Sequence, residues 1–113
     1  MVFEIETLTD GTPYYEQITA LDGRDFKLIF SFNPRDDHWY LTIRTEEDER
    51  IKGCEGLKLA MNSWPIRKVT DLLRPPGEFF VSGDAEKHPG IFDLGAGSVL
   101  VYITEPEMEQ IRQ

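Results

Sequence analysis

Two runs of strict alternation stand close together in this chain, and they constrain the fold more than any other feature. In residues 25–32, Phe26, Leu28, Phe30 and Phe32 fall on one face, with Lys27, Ile29 and Ser31 on the other. In residues 39–44, Trp39, Leu41 and Ile43 oppose Tyr40, Thr42 and Arg44. Period two is the strand period, because successive side chains leave a strand on opposite faces. Each run therefore predicts a strand with one face on a core. Between them lies Asn33-Pro34-Arg35-Asp36-Asp37-His38. Asn and Pro initiate turns, and Asp tolerates left-handed backbone, so a hairpin with a polar tip is predicted.

The same signal extends along the chain. "YYEQITAL" predicts a strand that ends at Asp22-Gly23, a two-residue hairpin signal, because both positions of a type I′ turn need positive φ. Residues 2–8 predict a first strand, with a turn at Asp10-Gly11-Thr12-Pro13. Glu46 to Arg50 predicts a solvated hairpin tip. Residues 51–61 predict a strand broken by Gly53 and Gly56. Residues 63–73 read ambiguously: Ser63 could cap a helix, with Pro65 in its first turn, and Ile66, Val69 and Leu73 could share a face. Strands are expected at 78–82 and 98–103, with a long polar loop between them. Thr104-Glu105-Pro106-Glu107 fits a capping box opening a short C-terminal helix, with Met108 and Ile111 on one side. The predicted fold is mainly β: a small antiparallel barrel or sandwich of about seven strands with a short C-terminal helix.

A chain of 113 residues suits one domain spanning residues 1–113. Thirteen aromatic side chains, two Trp, four Tyr and seven Phe, suit sheets better than helix bundles. The net charge of −9 repels phosphate backbones and anionic lipid surfaces, so neither nucleic-acid binding nor membrane association is expected. No apolar run approaches the length of a membrane span. The first residues carry neither a basic region nor an apolar signal core, so no secretion signal is expected and a cytoplasmic site of synthesis is. A single cysteine, Cys54, excludes an intramolecular disulfide and a CxxC metal knuckle.

Few residues suggest reaction chemistry. Asp36, Asp37 and His38 are adjacent, and neighbours in extended chain point apart, so convergence on one ion needs a special turn. Zinc wants three or four ligands, and the other soft candidates are His88, in a loop before a proline, and Cys54. A metal-assisted hydrolase would need His38, His88 and a carboxylate to meet. Cys54 lacks a neighbouring histidine and fits an inert buried thiol. No nucleophile elbow is present, and "GAGS" lacks the spacing of a phosphate loop. No catalytic, cofactor or metal residue is assigned, and no enzymatic activity is expected.

The aromatic residues say more. Trp39 continues the apolar face of its strand. Trp64, beside Pro65, is a candidate for an exposed contact or for a cap packed over the end of the barrel. Tyr14-Tyr15 and Phe79-Phe80 put one ring on each face of a strand, so one ring of each pair must meet a further layer or another subunit. The candidate interface is therefore Tyr14, Trp64, Phe79, Phe80, Met108 and Ile111. An alternative function is a free-standing barrel that binds sugar or peptide in an aromatic-lined groove.

The order of these segments resembles one known family. "ALDGRDFKLIFSFNPRDDHWYLTI" is similar to the central signature of the baseplate plug proteins of contractile-tailed phages such as simple cyanophages. The matching motif residues are Asp22 and Gly23 of the hairpin, Asn33 and Arg35 of the turn, and Trp39 of the next strand. "PPGEFFV" and "DLGAGSVLVYI" also resemble family segments, so the likeness covers roughly residues 3–103. The Asp36-Asp37-His38 tip departs from the small glycine-containing turn of the family, and "EEDER" is local to this chain. The resemblance implies a small β-rich virion part without catalytic residues, near the end of the tail tube. It implies contacts with hub, spike, tube-initiator or tail-tube subunits, in several copies of a symmetric assembly built in the host cytoplasm. The motif residues are implied to be structural.

Overall fold

The computed structural model describes residues 2–7, 12–60, 63–71, 73–83 and 98–104. Seven strands form two antiparallel sheets. One sheet has the order β1 (Val2–Glu4), β7 (Ser98–Ile103), β6 (Glu78–Gly83). The other runs β2 (Tyr14–Leu21), β3 (Arg24–Asn33), β4 (His38–Thr45), β5 (Leu57–Lys58). The expected C-terminal helix with Met108 and Ile111, His88, and most of the polar loop lie outside the described residues, among which there is no helix.

The central hairpins follow the sequence pattern closely. Asp22 and Gly23 have φ of 54° and 82°, the left-handed pair that lets β2 turn tightly into β3. The register then runs without a gap from Leu21↔Arg24 to Tyr14↔Ser31. Across the next turn, Asn33 pairs with His38 and Phe26 with Thr45. Directly opposed residues share a face, so Phe26, Leu28, Phe30, Trp39, Leu41 and Ile43 all point inward, and all are buried. Phe32 joins the same face and meets the Trp39 ring edge-on at 5.3 Å. Ile29 points outward yet is also buried, with Glu16 and Thr42 directly opposite it on the flanking strands.

One apolar cluster joins the two sheets. Trp39, Phe30 and Leu41 come from the four-stranded sheet; Phe79, Val81, Leu100 and Tyr102 come from the other. Each large ring buried this way removes roughly 150–250 Å² from water. Tyr15 stacks on Phe30 at 4.9 Å, and Phe79 meets Tyr102 edge-on at 5.1 Å.

Two expectations are corrected, and one ambiguous segment is resolved. The sheets do not close into a barrel, so of the two architectures anticipated the two-sheet arrangement stands. Closure needs long strands at every edge, and β1 has three residues and β5 only two. Residues 51–60 are not one strand. Gly53 and Gly56, with φ of 88° and 61°, swing the chain off β4, which it touches through the Ile43 N–H to Cys54 carbonyl bond and the Leu59 N–H to Trp39 carbonyl bond. Residues 63–71 are not a helix but turns, closed by Arg67 N–H to Trp64 and Val69 N–H to Ile66. The Arg74 guanidinium also bonds the Ile66 and Val69 carbonyls at 3.0 and 2.9 Å, which ties these turns to the chain that follows.

The Asp22-Gly23 turn yields a direct test. Nothing lies within 4 Å of a Cβ built on Gly23, so Gly23→Ala should lose only backbone energy, about 1–2 kcal/mol. Gly23→Asn, which tolerates the left-handed region, should lose less. Urea unfolding of the two variants measures the difference; equal losses would show that φ is not the cause.

Candidate functional site

The polar hairpin tip is held by its own chain. The Asn33 side chain accepts the Arg35 N–H at 2.9 Å, which shapes the turn, and Asp37 takes the left-handed φ of 56°. His38 Nδ1 lies 2.7 Å from the Asp36 carbonyl, so this nitrogen carries the proton and donates. The Tyr40 hydroxyl donates to Asp36, and Lys58 Nζ stands 3.6 Å from the same carboxylate. The Tyr40 bond foremost, with help from Lys58 and His38, holds the Asp36 carboxyl below its ordinary range. Among the described residues, no three metal-binding side chains gather at one place. Cys54 is buried in the apolar cluster, and that burial pushes its thiol up to about 11, where it is a poor nucleophile.

The aromatic pairs divide as their spacing requires. Tyr15 and Phe79 turn inward, so Tyr14 and Phe80 are the rings that leave the core. Tyr14 is 55% exposed and donates to Glu16 at 2.9 Å. Phe80 finds a further layer within its own chain: the Trp64 ring lies 4.7 Å away. The Arg67 guanidinium sits 5.6 Å over Trp64. The Val81 N–H bonds to the Ser63 carbonyl, which fixes this segment along the edge of β6. Trp64 and Phe80 are both half-buried, so each keeps part of its surface for contact. Phe79 is fully buried and offers none. Met108 and Ile111 fall outside the described residues.

The segments that carried the family likeness converge on one hydroxyl. Tyr102 donates to Asp22 Oδ2 at 2.6 Å and accepts the Gly77 N–H at 2.7 Å. Asp22 comes from the hairpin motif, Gly77 from "PPGEFFV" and Tyr102 from the last strand. Gly77 must lack a side chain, since a Cβ there would stand 2.0 Å from the Ile103 carbonyl and 2.8 Å from the Tyr102 ring end. Arg74 secures the same corner by bonding the Pro75 and Gly77 carbonyls and pairing with Glu78 at 3.3 Å. Little local marks Arg74 or Tyr102 as central: apart from Glu78, four residues from Arg74, their partners lie far along the chain or on backbone groups.

Residues 2–106 match the model of a protein family described as the cyanophage baseplate Pam3 plug gp18. The chain belongs to this family. No curated protein matches it. Of the residues on which the sequence resemblance rested, Asp22 and Gly23 form the turn and Asp22 holds Tyr102, Asn33 and Arg35 shape the tip, and Trp39 is buried in the core. No helix among the described residues is long and apolar enough to cross a membrane. Open grooves of about 400 to 470 Å³ occur, one between β1 and β2, one beside Lys52 and Lys68, and one along the acidic 46–49 tip. Each carries at most one aromatic ring, unlike the ring-lined cleft expected of a sugar-binding barrel.

The Tyr102 bridge can be tested by stability. Tyr102→Phe leaves the Gly77 N–H without its acceptor, so a loss of about 1–3 kcal/mol is expected in urea unfolding. Burial and the Asp22 bond also raise the Tyr102 phenol above its ordinary value. A raised folded value means stability held below about pH 10 and lost as pH climbs beyond it. The alkaline decline should therefore be shallower in Tyr102→Phe than in the parent; identical slopes would exclude the bridge as its source.

Proposed function

We propose that the chain is a non-enzymatic structural component of a contractile phage tail baseplate, seated as a plug or hub adaptor near the end of the tail tube. Membership of the baseplate plug family over residues 2–106 carries this reading. In it, the chain is assembled in the host cytoplasm in several symmetric copies and contacts hub, spike, tube-initiator or tail-tube subunits. Closed rings multiply weak contacts, so modest patches suffice for permanent seating. Tyr14, Trp64 and Phe80 supply such patches, since each presents ring surface outside the buried core. The chemistry at the tip and at Cys54 supports a structural role as well: the imidazole and carboxylate are engaged within the turn, and the thiol is buried.

Purified tails from cells lacking the gene, compared with the parent by mass spectrometry and electron microscopy, test this. The parent should carry the chain at the baseplate, and tails without it should be incomplete there. Tyr14→Ala and Trp64→Ala chains, supplied in place of the parent, should enter particles several-fold less well. Particles that lack the chain, or baseplates unaffected by its loss, would sink the proposal.

A further inference from the structure

A sheet edge is a row of open backbone donors and acceptors, and folded chains blunt such edges by shortness, by cover, or with proline, lysine or a bulge. Three of the four edges among the described residues are blunted. β1 has three residues and β5 two, and β6 gives its Val81 N–H to the Ser63 carbonyl. β2 is the exception. It is eight residues long, its register with β3 is unbroken, and its sequence, "YYEQITAL", holds neither proline nor lysine. Ile18, at its middle, is 52% exposed.

This edge forms one wall of a groove of about 400 Å³. Gln17, Ile18, Thr19 and Ala20 line one side, and Phe3, Glu4, Ile5 and Glu6 the other. The groove thus lies between the outer strands of the two sheets, where the barrel fails to close. Gln17 Nε2 reaches across it to the Glu6 carbonyl at 2.9 Å. Below, Ile5 is buried and ties its N–H to Leu100.

We propose that this groove takes an extended basic segment of a partner chain, added as a strand along β2. Strand addition draws its affinity from main-chain bonds, which a long edge without a bulge supplies. Ile18 offers apolar surface to every second residue of such a segment. Glu4 and Glu6, both exposed on the far wall, select lysine or arginine in the segment. A second copy of this chain would bring the same acidic wall and a net charge of −9 against it, so like charge disfavours self-pairing. The inference rests on the baseplate reading for the origin of the partner, not for its chemistry.

The full chain is mixed with a peptide of about a dozen residues that alternates lysine and valine, and separately with its glutamate-for-lysine counterpart. Hydrogen exchange is then followed at the amides of residues 14–21 that do not pair with β3. The lysine peptide should slow their exchange about tenfold, and the glutamate peptide should not. The double variant Glu4→Lys, Glu6→Lys should bind the lysine peptide about tenfold more weakly while keeping the parent's unfolding midpoint. The proposal is overturned if these amides are already protected in the chain alone, if neither peptide protects them, or if both do equally. A chain found in tails but blind to the peptide overturns the groove and spares the baseplate reading. Peptide binding by a chain absent from tails does the reverse.

Discussion

The Tyr102 hydroxyl is the point on which the arrangement of the two sheets depends. It lies in the middle strand of one sheet and bonds the turn between β2 and β3 of the other. The same oxygen accepts the N–H that starts β6. Apolar packing alone is non-directional and would tolerate sliding of one sheet over the other. A buried hydroxyl with one donor and one acceptor partner fixes a single relative position, because any slip strands polar groups away from water. The requirements then propagate. Gly77 is confined to glycine by the closeness of the Tyr102 ring, and Arg74 gathers the carbonyls of the incoming loop.

The strands were legible because their cause is local. Alternation from Phe26 to Phe32 and from Trp39 to Ile43 reports which face meets the core, and Asp22-Gly23 reports the turn from its backbone preference alone. The division of Tyr14 from Tyr15 and of Phe79 from Phe80 followed from the same rule. The failures have a common physical reason. Whether Leu57 and Lys58 extend an edge or leave it depends on backbone bonds to β4, a segment distant in sequence. The turns of residues 63–71 are tied by a guanidinium from outside the segment, which bonds two of their carbonyls. Barrel or open sheets depends on which edges meet, and periodicity within a strand carries no such information. The Tyr102 bridge spans eighty positions, and its sequence trace was only the joint presence of three motif segments.

That joint presence is also what ties the fold to the family. The segments on which the resemblance was read are those that build the shared corner and the central hairpin. This suits a baseplate plug, in which shape and attachment are the product. The turn at Asp36 and the buried Cys54 are spent on holding the chain together.

One face of the molecule neutralises its own charges. On the outer face of the four-stranded sheet, Glu16, Lys27, Asp48, Arg44 and Glu55 alternate in sign and pair at 3.1 to 3.4 Å. Such a lattice cancels much of its own field, and its exposed pairs add little to stability. Glu4, Glu6, Glu46, Glu47 and Glu49, by contrast, are exposed carboxylates beside or away from this lattice. A charged neighbour approaching the neutralised face would meet little net field, so contact there would depend on shape rather than on long-range attraction.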